Sequence, residues 1–297
     1  MNTLTAAPPA AECGTPPIKS RALISLRARP MVALSLLWIV FLVALAAVRP
    51  LLPLPDPARS DYQNVAVPPG FSGAHLLGTD EIGRDILARL ITGGQVSLLV
   101  GIGAVAIAVL AGAPLGILAG YFRGWVAPVI GTVIDIQLAF PALVALIALV
   151  VFLGPGLITI VVGIGIVSAP AVARVSRAAT KTYAEREFVV AAQGMGAGSW
   201  RIIRREVLPN VIVPVLAYSM VLLAVAIVAE GSLSFLGLGV PPPSSSWGSM
   251  MGSGRSELNS KPHIVLLPAL AMMLTLLALN FLAEQFGRRF DIRESAL

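Results

Sequence analysis

The chain has 297 residues, of which 57% are hydrophobic and only 12% are charged, and its mean hydropathy is +0.87. Because a soluble domain carries about 25% charged residues, this composition excludes an ordinary soluble domain and indicates a protein that crosses a membrane several times. The net charge of +6 does not indicate nucleic-acid binding, since the basic residues gather in loops beside apolar segments.

Six apolar segments are long enough to cross a bilayer, which requires a helix of about 20 largely apolar residues. They predict an all-α membrane protein with six transmembrane helices. Lysine and arginine concentrate before the first segment, between the fourth and fifth, and after the sixth, which places both termini and the central loop in the cytoplasm. The six predicted spans are residues 31–48, 96–119, 128–152, 157–173, 211–229 and 264–283.

The remaining parts of the chain follow from these spans. Residues 1–30 are rich in Ala, Pro and Thr and lack an apolar period, so we expect a disordered cytoplasmic tail. Residues 31–95 comprise the first span and an extracytoplasmic segment. Residues 96–284 form the transmembrane core, which includes the cytoplasmic loop 174–210, and residues 285–297 form a second cytoplasmic tail.

The extracytoplasmic segment ends in a stretch, residues 78–90, whose apolar residues recur at helical spacing. This stretch predicts a short amphipathic helix on the membrane surface, with Thr79 or Asp80 as its N-cap and an ion pair between Asp85 and Arg89. Two interpretations stay open. The helix is either an elbow that orients the next span or a contact for another protein at the outer gate.

The spans are rich in small residues and contain prolines. Gly112 and Gly116 form a GxxxG pattern, which is typical of close packing between membrane helices. Pro114 and Pro141 predict kinks, which membrane helices tolerate where neighbouring helices cover the freed carbonyls. Such an interrupted bundle is compatible both with a rocking motion and with a static fold.

The central loop carries a polar, basic stretch, residues 187–210, between two apolar spans. Ala191 and Ala192 leave a shallow helix face on which a partner could approach the backbone. Glycines then interrupt the helix, because glycine is unfavourable inside a helix and permits positive φ. These glycines are Gly194, Gly196 and Gly198.

A second short helix follows the glycines. Ser199 is its expected N-cap, and Pro209 is expected to end it. Its apolar face is predicted to contain Trp200, Ile203 and Val207, and its basic face Arg201, Arg204 and Arg205. From the residues alone, this loop is either a solvated amphipathic connector or a docking site for a cytoplasmic protein.

The loop resembles the EAA loop, the signature of binding-protein-dependent ABC importer permeases, which begins Glu-Ala-Ala and ends Ile-x-Leu-Pro. Val190 stands in place of the usual Glu and Glu206 in place of the usual Ile. The residues that match in register are Ala191, Ala192, Gly196, Leu208 and Pro209.

Two further stretches resemble the dipeptide/oligopeptide/nickel group of these permeases. They are residues 77–98, which follow the first span, and residues 229–239, which end the fifth span and precede Trp247 and Gly248. The pattern is similar to the C-type permease of that group, which is one of two unlike permeases in a heterodimer. The resemblance extends from Leu77 to Phe290.

The resemblance implies a type I ABC importer permease fold in a prokaryotic cytoplasmic membrane, with transport by alternating access. It implies as partners a second homologous permease, two cytosolic ATPase subunits or domains, an extracytoplasmic substrate-binding protein and membrane lipid. ATP and Mg would belong to the ATPases, and this chain would be neither an enzyme nor a cofactor protein. The implied coupling residues are Ala191, Ala192, Gly196, Trp200, Arg201, Arg204, Leu208 and Pro209.

Candidates for further sites are few. Asp135 and Glu230 are the ionisable residues closest to the span interiors, so each is either a path or gate residue or a group hydrogen-bonded between helices. Contact with the binding protein is expected at Thr79, Asp80, Arg84 and Asp85.

No metal site is expected, because His75 and His263 stand alone and Cys13 is the only cysteine. The expected cargo is a di- or oligopeptide, with glutathione or a nickel chelate as the alternatives that share these motifs. Rival classes are an ion-driven secondary transporter, which would need carboxylates near the midplane, and a membrane-embedded hydrolase, which would need paired catalytic residues.

Overall fold

The computed structural model describes residues 19–70 and 75–294, with side chains placed from residue 30 to 70 and from 75 to 287. Apart from the loop residues between Leu51 and Ile86 and shorter connections, these parts of the chain are helical, and they contain no strand, only an isolated bridge between Thr79 and Asp85. The α-helices are α1 Lys19–Val48, α2 Ile86–Tyr121, α3 Val126–Ala139, α4 Ala142–Leu153, α5 Leu157–Ala184, α6 Glu187–Gly194, α7 Ser199–Ile202, α8 Leu208–Phe235, α9 Trp247–Ser253 and α10 His263–Glu294.

Within the described residues, five helices are long and apolar enough to cross a membrane, and α3 with α4 makes a sixth span if this bent pair is counted as one. This confirms the all-α membrane fold predicted from the apolar segments. The five are Pro30–Leu51, Ile86–Tyr121, Leu157–Ala184, Ser199–Phe235 and His263–Gly287.

The third predicted span is not one continuous helix. Its two halves, α3 and α4, meet at an angle of 84°. The α-conformation is disfavoured for a residue before proline, and Phe140 accordingly adopts an extended conformation with ψ 134° before Pro141. The sequence predicted a kink at Pro141, whereas the structure has a full break.

The first helix begins earlier than the apolar run. Helix α1 starts at Lys19, so the part of the predicted disordered tail from Lys19 to Pro30 is helical, and residues 1–18 lie outside the described residues. Helix α1 packs along α10, where the Trp38 indole N–H donates to the Thr275 hydroxyl at 3.1 Å. The first span is therefore attached to the last.

The core of the bundle is the close contact between α2 and α5. A methyl group on Gly112 would overlap the Ala169 carbonyl, and one on Gly116 would overlap the Ala173 carbonyl. The GxxxG pattern thus lets two helix backbones touch, as expected of small residues in membranes. Helix α8 packs against this pair and against α10.

The amphipathic helix predicted for residues 78–90 is absent from its first half. Gly78 and Gly83 have φ of 80° and 82°, which favours turns, so α2 begins only at Ile86. Asp85 caps that helix by accepting from the Ala88 N–H at 2.7 Å. The predicted pair with Arg89 does not form either. Asp85 instead contacts His75, with 2.8 Å between Oδ2 and Nδ1.

Candidate functional site

The loop between α5 and α8 is a compact helix–turn–helix unit. Helix α6 ends in a Schellman motif, in which the Ala197 N–H donates to the Ala192 carbonyl at 3.0 Å and the Gly196 N–H to the Gln193 carbonyl at 2.9 Å. Gly196 occupies the left-handed position with φ 80°. Of the three glycines predicted to break the helix, Gly194 is still helical and Gly198 is extended, so Gly196 makes the turn.

The inner side of this unit is anchored in the bundle. Val189, Ile202, Ile203 and Val207 are buried in one apolar cluster with residues of α2, α5 and α8, and Ala192 and Ala197 pack against it. These contacts join both short helices to the transmembrane core. Ala192, predicted as a contact residue, is thus partly used in this packing.

Several large apolar side chains of the unit are exposed, beside exposed polar and basic residues. Trp200 is 70% exposed and Met195 is 82% exposed, although such side chains are normally buried. The sequence predicted Trp200 on the same face as Ile203 and Val207, and this is wrong, because Trp200 faces outward while the other two are buried. We call this exposed set the loop surface; its residues are Phe188, Val190, Ala191, Met195 and Trp200.

The connection from this unit to α8 is continuous. Residues Ile203–Val207 form a π-helical turn, and Pro209 lies in the first turn of α8. The prediction that Pro209 ends the helix is wrong, because the helix runs from Ser199 to Phe235. Proline has no N–H to donate, and its ring clashes with the carbonyl one turn earlier. A wider π turn at that place removes the need for the N–H and avoids the clash.

Three other details of this unit concern predicted residues. Ser199 is the first residue of α7 instead of its N-cap, and no side chain caps that helix. Arg201 and Arg204 are exposed beside the loop surface, and Leu208 is exposed at the start of α8. The predicted coupling residues therefore lie within one short unit, with Ala192 against the core and Ala191, Trp200, Arg201 and Arg204 exposed.

Glu230 is fully buried near the end of α8. It accepts a hydrogen bond from the Ser97 hydroxyl of α2 at 2.9 Å and another from the Ser234 hydroxyl at 2.6 Å. The Trp247 N–H of α9 donates to the Ser97 oxygen at 3.4 Å. Glu230 thus links α2, α8 and α9, which matches the interpretation of a carboxyl group hydrogen-bonded between helices.

Asp135 lies on α3 and has a different environment. Its Oδ1 lies 2.9 Å from Nη2 of Arg174 on α5, and both side chains are more than 60% exposed. The sequence did not indicate Arg174 as its partner, since the two residues lie 39 positions apart. A pairing across helices could be found only from their packing.

The outer segment holds a buried polar cluster instead of a surface helix. Thr79, Asp80 and Asp85 are nearly inaccessible, whereas the Arg84 side chain is 13% exposed and its Nε lies 2.7 Å from Oδ2 of Asp80. Contact of these residues with a binding protein stays a prediction, and Arg84 is the accessible one of the four. At the rim, hydrogen bonds from the Asn64 side chain and the Gln63 N–H lower the pKa of Asp61.

Similarity to known proteins identifies the family of this chain. Residues 112–294, more than half of the chain, match the model of the binding-protein-dependent transport system inner membrane component. The chain belongs to this family. It is accordingly a multi-pass permease subunit of the prokaryotic cytoplasmic membrane and not an enzyme.

Relatives match over most of their length. The di/tripeptide transport system permease protein DppC of Pseudomonas aeruginosa is 40% identical over 260 residues, covering 86% of this chain and 86% of its own. The glutathione transport system permease protein GsiD of Pectobacterium atrosepticum is 36% identical over 255 residues, covering 86% of this chain and 84% of its own. The dipeptide transport system permease protein DppC of Alkalihalophilus pseudofirmus is 35% identical over 266 residues, with 90% and 87% covered.

Solved structures show the same fold. An inward-facing structure of the MetNI methionine ABC transporter aligns with a TM-score of 0.56 at 17% identity, covering 67% of this chain and 95% of that one. An amino acid ABC transporter crystallised with histidines aligns with a TM-score of 0.54 at 19% identity, covering 68% and 94%. The type I ABC importer permease fold is thereby confirmed, while the cytoplasmic placement of both termini stays a prediction.

Proposed function

We propose that this chain imports di- or oligopeptides as one permease of an ATP-driven transporter. The observation that carries the proposal is the match to dipeptide, di/tripeptide and glutathione permeases across 84–87% of their length. Glutathione is itself a tripeptide, so all three named cargoes are short peptides. Glutathione or a nickel chelate stays the alternative cargo.

The loop surface is the proposed docking site for a cytosolic ATPase. Large apolar side chains exposed on a polar loop are typical of a protein–protein interface, and tryptophan is enriched where binding energy is concentrated. Here Trp200 and Met195 project from a unit whose opposite side is fixed in the bundle. ATP and Mg would be held by the ATPases and not by this chain.

The proposed coupling uses the rigid connections beneath the loop surface. Movement of a docked ATPase would displace α6 and α7, whose buried residues Val189 and Ile202 contact the α5–α8 region of the core. The π turn and Pro209 then pass this motion into α8 without a flexible joint. Coupling requires that docking favour one of two bundle conformations over the other.

The remaining partners are a second homologous permease, a second ATPase subunit or domain, and an extracytoplasmic binding protein. The binding protein would deliver cargo at the outer ends of the spans, where Arg84 is the accessible member of the polar cluster. Glu230 lies at the same end, and its full burial supports a role in holding α2, α8 and α9 together at the outer gate.

Uptake tests this function. Cells that lack the chain and cells that carry it are compared for uptake of labelled dialanine, glutathione and a nickel–histidine chelate. We expect uptake of dialanine to require the chain, to be blocked by vanadate and to persist in ATP-loaded vesicles treated with an uncoupler. Chain-dependent uptake of glutathione or of the nickel chelate alone would favour the alternative cargo. Uptake that collapses with the uncoupler while ATP remains would instead indicate an ion-driven transporter.

A further inference from the structure

The ion pair between Asp135 and Arg174 stands on the outside of apolar helices. The side chains are 69% and 63% exposed, and Oδ1 and Nη2 lie 2.9 Å apart. Asp135 is nine residues into α3 and Arg174 is ten residues before the end of α5. At 1.5 Å per residue, Asp135 lies about 14 Å from the first residue of α3, and Arg174 lies about 15 Å from the last residue of α5. Two charges thus meet beside a helix, α3, whose other exposed residues are mostly apolar.

A lipid environment does not suit this surface. Ionisable residues within spanning segments almost always face a bundle interior or a water-filled cavity, because exposure to hydrocarbon is costly. The two exposed charges of Asp135 and Arg174 therefore indicate that their face of α3 and α5 is covered by water or protein in the assembled transporter.

A second, independent observation concerns the same helix. Five residues after Asp135, the break at Phe140 and Pro141 separates α3 from α4 by an 84° bend, and both residues are exposed. The helix ends at such a break leave backbone carbonyls and amides without helical partners. Irregular backbone at membrane depth is tolerated only where protein buries it or where it lines a water-filled cavity.

We propose that Asp135 and Arg174 line the water-filled translocation path and bind the charged termini of a zwitterionic peptide as it passes. This inference rests on the proposed function, since it names the chemistry by which the permease handles its cargo. The Asp135 carboxylate would accept hydrogen bonds from the ammonium group of the peptide. The Arg174 guanidinium would bind the peptide carboxylate, for which its planar fork is well suited.

The small stabilisation expected of an exposed ion pair is compatible with a site that binds cargo only briefly. Exposed ion pairs in high dielectric contribute little stability, so exchanging the internal partner for a cargo terminus requires little work. A dry contact with a partner permease is less consistent with the geometry, because burying an ion pair away from water incurs a large desolvation penalty.

The first test is chemical labelling of the assembled transporter in lipid nanodiscs. Asp135→Cys and Arg174→Cys are made separately in a Cys13→Ser background, because Cys13 is the only native cysteine. The probe is a charged, water-soluble methanethiosulfonate. Leu37→Cys, at an exposed apolar position of α1, is the matched control. We expect both path positions to react, the control to stay unlabelled, and excess dialanine to slow the reaction at both path positions.

The second test measures which terminus each residue binds. Uptake of dialanine, N-acetyl dialanine and dialanine amide is measured for wild type, Asp135→Asn, Arg174→Gln and the control Thr132→Val. Each variant is compared with wild type for the same cargo, so selection by the binding protein cancels. A charged hydrogen bond is worth about a factor of ten, so we expect Asp135→Asn to reduce dialanine uptake about tenfold with no added loss for the N-acetyl form. Arg174→Gln should show the same pattern with the amide.

The outcomes separate the two proposals. Absence of labelling at both path positions would overturn the path assignment, since lipid or a partner would then cover the pair. Labelling that dialanine leaves unchanged would also overturn it, since the pair would then be an ion pair at the lipid headgroups. If wild type shows no ATP-dependent dialanine uptake, the proposed peptide cargo is wrong. Labelling then still shows whether Asp135 and Arg174 are accessible to water.

Discussion

The turn at Gly196 offers a sharp test of how the loop unit is built. Its φ of 80° lies in the left-handed region, and no atom lies within 4 Å of the place a β-carbon would occupy. Gly196→Ala therefore adds no steric clash with neighbours and changes only the backbone preference. That conformation costs an L-residue about 1–2 kcal/mol. Gly194→Ala is a matched control, because Gly194 also has open space but lies in α6 with ordinary helical geometry.

The assay is hydrogen exchange of the loop in the purified permease, read by mass spectrometry on peptides that contain residues 187–200. A loss of about 1–2 kcal/mol corresponds to opening that is roughly 5 to 30 times more frequent. We expect Gly196→Ala to accelerate exchange of the Gly196 and Ala197 amides by that factor. Gly194→Ala should leave exchange unchanged or slow it, because alanine favours a helix. Equal effects of the two variants would refute the Schellman turn as the element that holds the unit.

Three further predictions concern binding and packing. Trp200→Ala is expected to weaken ATPase binding about 30-fold without changing the melting temperature, because exposed tryptophans at interface centres typically contribute about 2 kcal/mol or more. Glu230→Ala is expected to lower the free energy of unfolding by about 2–4 kcal/mol, since it leaves a cavity and two unpaired hydroxyls, while Glu230→Gln should lower it by about 1 kcal/mol. Gly116→Ala is expected to lower the free energy of unfolding by about 1–3 kcal/mol, because the added methyl group overlaps the Ala173 carbonyl. The stabilities of the Glu230 and Gly116 variants are measured by thermal unfolding in detergent. An unchanged stability of Gly116→Ala would contradict the close contact between α2 and α5.

The sequence predicted the transmembrane core well because hydrophobicity decides where a helix can lie in a bilayer. Five of its spans correspond to continuous helices, and the apolar run of the third covers α3 and α4. The predicted ends were too short where a helix continues through polar residues, as at Lys19 and Ala184. Hydropathy locates the buried part of a helix and says little about the rest.

Errors occurred where backbone geometry outweighs side-chain pattern. Ile82, Ile86 and Leu90 have helical spacing, yet Gly78 and Gly83 adopt positive φ and form turns. Pro209 was expected to end a helix, yet the π turn before it removes the clash. A one-dimensional pattern gives the preference of each residue but not the neighbouring turn that satisfies or overrides it.

At the candidate site, too, the sequence predicted the position of the residues but not their contacts. The sequence located the loop unit through its glycines and alanines, but it did not show that Trp200 faces outward while Ala192 packs inward. Likewise, the Ser97 partner of Glu230 and the Arg174 partner of Asp135 lie 133 and 39 positions away and follow only from helix packing. These pairings depend on the three-dimensional contact of α2 with α8 and of α3 with α5.

The most direct test of the central claim is recovery of an ATPase with this chain from gently solubilised native membranes. Ala191→Arg is the decisive variant, because Ala191 is exposed on the loop surface, whereas Ala192 packs against the core and its substitution would also disturb folding. Thr182→Arg, an exposed position near the end of α5, adds the same charge outside the loop surface and serves as control. The account predicts that an ATPase is recovered with wild type and with Thr182→Arg but is lost with a correctly folded Ala191→Arg. Recovery of no ATPase with a stable wild-type chain, or undiminished recovery with Ala191→Arg, would contradict it.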